Sequence, residues 1–106
     1  MRDLLAEFGV TPSNERMTVD GKFDTSGGVT SGIDMALRVV ADVVGEETAR
    51  KIQLAIEYDP APPFAGGTPA TSPPEIVAAV QEGGRERRAK REALVREAAA
   101  RLHQTR

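Results

Sequence analysis

An α/β fold made of one β-hairpin and several helices is predicted by three features of this 106-residue sequence. First, Asp20-Gly21 separates two short stretches with partial alternation of apolar and polar residues, which is the pattern of a tight hairpin. Second, residues 33–44 are apolar at helical spacing. Third, residues 85–104 consist mainly of strong helix formers. A chain of this length forms one domain at most.

The composition excludes several classes of protein. Hydrophobic residues make up 40% of the chain and charged residues 28%, as in ordinary globular proteins. There is no cysteine, so the chain has no disulfide, no thiolate nucleophile and no cysteine metal site. No apolar run reaches the roughly 18 residues of a membrane span, and no signal-peptide core follows Met1. We therefore expect a soluble cytoplasmic protein with no membrane partner.

The charge is unevenly distributed. Residues 1–81 carry a net charge of −6 and residues 82–106 carry +4. The overall balance of −2 argues against nucleic acid as the main partner, although the basic tail leaves phosphate binding open. Because three glutamates (86, 92 and 97) interleave with the basic residues and no aromatic accompanies them, we predict a solvated helix with ion pairs.

The first half of the chain predicts a short helix followed by the hairpin. Residues 2–8 have an apolar stripe at helical spacing, and Gly9 ends that helix. Residues 15–19 and 22–26 are the predicted strands, with Asp20-Gly21 as the two-residue turn.

The next helix is predicted to run to Gly45. Ser31 and Asp34 have the spacing of a capping box at its start. Its apolar residues leave little polar surface, so we expect it to be covered on more than one side.

Three further segments complete the prediction. A helix opens at Glu46 and ends before Pro60, and an extended loop with six of the seven prolines occupies residues 58–74. Ser72 is predicted to cap a helix that has Pro73 in its first position and ends near residue 81. Residues 85–104 are the last helix.

This inventory leaves apolar surface without a partner. A single hairpin is marginal in water, and it accompanies a helix that is apolar almost all round. Either the chain forms an intimate oligomer, or a sheet that belongs to the domain is missing.

Two segments resemble the ThiJ/PfpI family. Residues 25–34, T-S-G-G-V-T-S-G-I-D, resemble its T-S-G-G-V-T-A-G-I-D signature. Residues 53–64, Q-L-A-I-E-Y-D-P-A-P-P-F, resemble the Q-L-x-x-E-Y-x-P-x-P-P-F segment of its isonitrile hydratase-like branch. Residues 3–9 and 73–77 also match, so the resemblance covers roughly residues 3–81 in the right order.

The resemblance implies a fold and a division of the chain. Members have a flavodoxin-like, class I glutamine amidotransferase-like α/β sandwich. Residues 1–81 are then the C-terminal half of such a domain, and residues 82–106 are a charged helical tail.

The resemblance also implies an enzymatic reaction, and this chain contains only some of the residues that the reaction requires. Isonitrile hydratases add water to an isonitrile and give an N-substituted formamide, using a cysteine in a strained elbow and a carboxylate from an earlier loop. Both groups lie N-terminal to the matched region. We therefore expect a lyase fragment without catalytic residues of its own, completed by an N-terminal half or present as a homodimer.

The glycine-rich segment is the candidate ligand site. A turn from a strand into a helix exposes backbone N–H groups that can hold a ligand; alternatively, its glycines simply make a tight connection. By resemblance the segment is a wall of a small-molecule pocket, with Gly27 and Ile33 facing the substrate, Thr30 and Asp34 shaping it, and Gly28 beside them.

Other candidates are weaker. Glu57 and Asp59 could serve as paired acids, but we interpret them as solvated or capping groups, with Tyr58 anchoring the loop. His103 is the only histidine, so we predict no metal site, and we predict no cofactor. Two other functions stay open: a ligand-sensing domain of a transcription regulator, and a non-catalytic oligomeric interaction module.

Overall fold

A computed structural model describes residues 2–105, which form two compact units. One unit is residues 13–61, and the other joins the chain up to Pro12 to the chain from Pro62 onward. The first unit holds both strands and two helices, and the second holds a 3₁₀ helix and two α-helices. The predicted α/β class is confirmed.

The hairpin pairs β1 (Met17–Asp20) with β2 (Phe23–Ser26) in antiparallel register. Asp20 lies opposite Phe23, so the turn residues are Gly21 and Lys22 and not the predicted Asp20-Gly21. Gly21 has φ +59, and Glu57 is the one non-glycine with positive φ among residues 2–105. A glycine at positive φ followed by a residue at negative φ is the pattern of a type II′ turn, which explains the shift by one residue.

Helix α1 (Val29–Val44) begins two residues before Ser31. Gly28 is its N-cap, and no side chain caps it, so the predicted capping box of Ser31 and Asp34 is wrong. Ser31 lies within the first turn of the helix and is 1% exposed. Its hydroxyl donates backwards to the carbonyl oxygens of Gly27 and Gly28, at 2.5 and 3.1 Å. The hydroxyl therefore closes the β2–α1 turn from inside.

Helix α2 (Glu46–Ala55) packs against α1 and buries Ala49 against it. Gly45 connects the two helices: its N–H donates to the carbonyl oxygens of Val40 and Ala41, and its own carbonyl accepts from the N–H of Ala49. One glycine thus ends α1 and begins the hydrogen bonding of α2.

The second unit contains the 3₁₀ helix (Arg2–Phe8), α3 (Pro74–Gly83) and α4 (Arg85–Gln104). Pro73 is the N-cap of α3, so the helix begins one residue later than predicted. The Ser72 hydroxyl makes no cap bond, because it donates to the carbonyl of Gly66 and closes a loop.

Helix α4 is exposed and carries the predicted ion pairs. Lys90 lies 2.8 Å from Glu86, and Arg96 lies 2.6 Å from Glu92, both one helical turn apart. Exposed pairs of this kind contribute only a few tenths of a kcal/mol, about 0.3–0.5 each. α4 also packs on the 3₁₀ helix, where His103 Nε2 lies 3.3 Å from the carbonyl oxygen of Glu7.

Little apolar surface is buried in either unit. Among residues 2–105 the buried hydrophobic side chains are Leu4, Ala49 and Ala99. No helix in this part of the chain is long and apolar enough to cross a membrane.

One side of α1 faces solvent although it is apolar. Val29, Ala36 and Val43 are spaced by seven residues, which places them on one side of a helix, and Val44 lies next to them. Val29 is 86% exposed and Val43 77% exposed, and Ala36 and Val44 are exposed as well. We call these four residues the outward face of α1. The sequence predicts that α1 is covered on more than one side, and the hairpin does not provide that coverage.

Gly45 is expected to be required for stability. Its φ of 120° and ψ of 150° lie in a region that only glycine adopts readily, while no atom comes within 4 Å of a Cβ built there. We expect Gly45→Ala to lower the free energy of unfolding by about 1–3 kcal/mol through backbone strain alone. Urea unfolding followed by far-UV circular dichroism measures this.

Gly32→Ala is the matched control. Gly32 lies within α1, and a Cβ there would meet Ser26 Oγ at 3.8 Å, an ordinary contact. This variant is expected to be unchanged or more stable, by up to about 1 kcal/mol, because alanine favours helix. Equal stability of the Gly45→Ala variant and the parent chain would contradict the argument.

Candidate functional site

The β2–α1 turn brings the predicted pocket residues together on one connected stretch. Gly27, Gly28 and Thr30 are exposed, and Ile33 and Asp34 are half-buried in the second turn of α1. The structure therefore places all five next to one another, three of them open to solvent. Whether a ligand contacts them stays a prediction.

Backbone and side-chain bonds hold this turn in place. The N–H of Gly27 donates to the carbonyl oxygen of Arg16 at 3.1 Å, which ties the turn to the start of the hairpin. The buried Ser31 hydroxyl bonds the two preceding glycine carbonyls from the helix side. The turn is thus fixed from both sides.

Asp34 links two side chains that are distant in the sequence. Its Oδ2 accepts from the guanidinium of Arg16, which precedes β1, and its Oδ1 accepts from the Tyr58 hydroxyl at 2.6 Å. The Tyr58 oxygen also lies 3.2 Å from the carbonyl oxygen of Thr30. Its single hydrogen goes to the carboxylate, because an ionised acceptor forms the stronger bond. We call these three side chains the Arg16–Asp34–Tyr58 cluster.

The cluster shifts the acidity of its members in opposite directions. The hydrogen bond from Arg16, with a second from Tyr58, lowers the pKa of the Asp34 carboxyl below its ordinary value of 3.8. The hydrogen bond to Asp34 raises the pKa of the Tyr58 phenol above its ordinary value of 10.0. Asp34 therefore remains ionised and Tyr58 neutral across the physiological range, so neither group is suited to exchange protons there.

Two members of the cluster were not predicted as site residues. Arg16 carries no local signal, since it lies 18 residues before Asp34 and belongs to no motif. The sequence predicts Tyr58 as an anchor of the following loop, and its hydroxyl does anchor that segment, by a bond to Asp34, 24 residues away. The signal that could have found Tyr58 is its place in the Q-L-x-x-E-Y segment.

An open depression of about 380 Å³ adjoins the cluster at the end of α2. Tyr58 lines it, together with Arg50, Gln53, Leu54, Glu57 and Asp59, so it contains none of the five predicted pocket residues. Glu57 and Asp59 are exposed, as interpreted from the sequence. Within residues 2–105 no group of three or more His, Cys, Asp or Glu side chains is placed to hold a metal ion.

The cluster makes stability depend on pH. Because the pKa of Asp34 is lower in the folded chain than in the unfolded chain, its contribution is complete above about pH 4 and disappears as the pH falls through the folded pKa. We expect Asp34→Asn to reduce the free energy of unfolding by about 1 kcal/mol at neutral pH, a value that allows for its partial exposure. The difference from the parent chain should shrink below pH 4 in urea titrations.

Tyr58→Phe tests how the free energy of unfolding changes at alkaline pH. The raised pKa of Tyr58 means that its contribution is present below pH 10 and is lost as the pH rises through the folded pKa. We expect this variant to be less stable than the parent chain at neutral pH, and the two to converge above pH 10.

Asp42→Asn is the control for both variants. Asp42 is on the same helix and also faces an arginine, Arg38 at 3.2 Å, but in an exposed pair one turn apart. Its effect should be much smaller at every pH. An effect as large as that of Asp34→Asn would mean that the cluster adds nothing beyond surface charge.

Comparison with known proteins shows what the chain is similar to. The chain is 47% identical over 75 residues to the isonitrile hydratase of Pseudomonas putida, a match that covers 71% of this chain and 33% of that protein. The crystal structure of a ThiJ/PfpI family protein from Pseudomonas syringae superposes with a TM-score of 0.82 at 39% identity, covering 89% of this chain and 39% of that one. No protein-family model matches the chain.

The chain thus spans about a third of the length of the curated relative it matches. Sequence and fold agree on the same family, and the resemblance stated from residues 25–34 and 53–64 is confirmed. The chain is therefore a ThiJ/PfpI-like polypeptide that corresponds to a C-terminal part of that fold.

Proposed function

We propose that this chain supplies one wall of an isonitrile hydratase-like site, with the nucleophile provided by a polypeptide segment outside these 106 residues. The observation that carries the proposal is the 47% identity to an isonitrile hydratase. The reaction is the addition of water to the isonitrile carbon, R–N≡C + H₂O → R–NH–CHO. The cysteine that the family resemblance implies is not contributed by this chain, which has none.

The geometry of the β2–α1 turn supports a role in contact and shape. Gly27, Gly28 and Thr30 are accessible to a small molecule, and Ile33 adds an apolar side chain suited to the organic group of an isonitrile. These groups can position a substrate without taking part in bond formation.

Asp34 is proposed to act as a positioning residue. Its carboxylate is ionised and engaged by Arg16 and Tyr58, so it is a poor proton donor and has little capacity to accept a proton. What it provides is the placement of the first two turns of α1 relative to the hairpin and to the end of α2. Loss of that placement would shift the pocket wall and lower turnover without removing a reacting group.

A chimera tests the proposal. The matched 75-residue segment of the Pseudomonas putida isonitrile hydratase is replaced by the aligned residues of this chain, and formamide production from an alkyl isonitrile is measured. We expect the chimera to hydrate the isonitrile, whereas the 106-residue chain alone should not. An inactive chimera that folds as well as the parent hydratase would refute the proposed function.

Two substitutions in the chimera separate the cluster from its surroundings. Asp34→Asn should lower kcat/KM by about tenfold or more, because a small misplacement of a site wall costs that much or more. Asp59→Asn, at an exposed carboxylate outside the cluster, should leave kcat/KM within about twofold. A positioning role also predicts that kcat/KM of the Asp34→Asn chimera keeps the pH profile of the unsubstituted chimera, since Asp34 does not titrate in the reaction.

A further inference from the structure

The carbonyl group of Gly27 depends on one side chain for its hydrogen bond. The Ser31 hydroxyl lies 2.5 Å from this carbonyl oxygen, and within residues 2–105 no other group donates to it. The same hydroxyl lies 3.1 Å from the carbonyl oxygen of Gly28, but that oxygen already accepts from the N–H of Gly32 at 3.1 Å. Because a hydroxyl has a single hydrogen, the shorter contact to Gly27 is the bond that Ser31 alone supplies.

Ser31 holds this carbonyl toward the interior of its unit. The serine is 1% exposed, whereas Gly27 itself is exposed. The Gly27 oxygen therefore points to a buried hydroxyl and not to the open side of the turn. The Gly28 carbonyl is engaged by the helix as well, so neither glycine carbonyl of the β2–α1 turn is left without a donor.

The reaction proposed above creates a hydrogen-bond donor. An alkyl isonitrile, R–N≡C, has no N–H or O–H group, whereas its formamide product, R–NH–CHO, has an N–H that requires an acceptor. A donor that enters a site without finding an acceptor loses its bonds to water and binds weakly. A wall whose carbonyl groups are occupied therefore disfavours the product and leaves the substrate unaffected.

We propose that Ser31 is a positioning residue that sets this preference: by holding the Gly27 carbonyl inward, its hydroxyl withholds an acceptor from the site and favours release of the formamide. The inference rests on the proposed function, because the β2–α1 turn must line the hydratase-like site. It assigns a role to a side chain that replaces the alanine of the signature that residues 25–34 resemble.

Ser31→Ala in the chimera tests the proposal, because it leaves the Gly27 carbonyl open to a ligand. The substrate is butyl isonitrile, and the affinity of the product, N-butylformamide, is measured by calorimetric titration. We expect the variant to bind N-butylformamide about fivefold more tightly, since one hydrogen bond to the ligand is gained. The KM for butyl isonitrile should stay within about twofold, because this substrate has no donor for the carbonyl.

Two controls separate this role from a structural one. N-butyl-N-methylformamide has no N–H, so Ser31→Ala should not tighten its binding. Ser26→Ala makes the same chemical change at the end of β2, where the half-buried hydroxyl has no hydrogen bond within the described part of the chain, and should leave the affinity for N-butylformamide unchanged. Circular dichroism should show that both variants fold, since Ser31→Ala restores the residue of the signature.

The Gly27 carbonyl can also be observed in the 106-residue chain by NMR. Its carbonyl carbon shift, read through the Gly28 amide, should move upfield in Ser31→Ala, because the carbonyl loses its donor. The shift should stay in place in Ser26→Ala.

Three results of the titrations would overturn the role of Ser31: an unchanged or weaker affinity of the Ser31→Ala chimera for N-butylformamide, an equal gain for N-butyl-N-methylformamide, or no detectable binding of N-butylformamide to either chimera. Titration requires no turnover, so this proposal and the proposed function are tested separately. An active chimera with unchanged formamide affinity removes only the role of Ser31. An inactive chimera whose Ser31→Ala variant binds N-butylformamide more tightly removes only the hydratase function.

Discussion

The carboxylate of Asp34 joins three segments that are distant in the chain. Arg16 enters from the start of the hairpin, Tyr58 from beyond the end of α2, and Asp34 itself from the second turn of α1. A carboxylate accepts several hydrogen bonds at once, so a single group can orient all three elements. The placement of the glycine-rich turn beside Asp34 depends on this arrangement, with the Ser31 hydroxyl bracing the turn from inside.

The same structure shows how little of its apolar surface the chain covers within each unit. α1 is held on one side by the cluster and the hairpin, while its outward face carries exposed valines. Since hydrophobic stabilisation scales with the apolar area removed from water, little of it is available within each unit, and the polar contacts add to the stability.

These features fit the proposal that the site is built from these residues together with another segment. We propose that the turn residues and Asp34 position a ligand, yet these 106 residues contain no cysteine thiol, and the Arg16–Asp34–Tyr58 cluster keeps Asp34 ionised and Tyr58 neutral over the physiological range. In the proposed function, this wall would contribute by holding geometry and not by exchanging protons or forming bonds. The proposed hydration chemistry therefore requires a nucleophile from a segment outside these 106 residues.

The sequence by itself determined the elements and the location of the candidate site. The hairpin, the helices and the glycine-rich turn follow from patterns within a few residues, namely alternation, helical spacing and glycine or proline breaks. The tertiary structure alone decided that the hairpin turn is Gly21-Lys22, that Ser31 points inward instead of capping, and that Asp34 binds Arg16 and Tyr58. Those partners lie 18 and 24 residues away, and their contacts arise from the packing of the hairpin and α2 on α1, which no local pattern encodes.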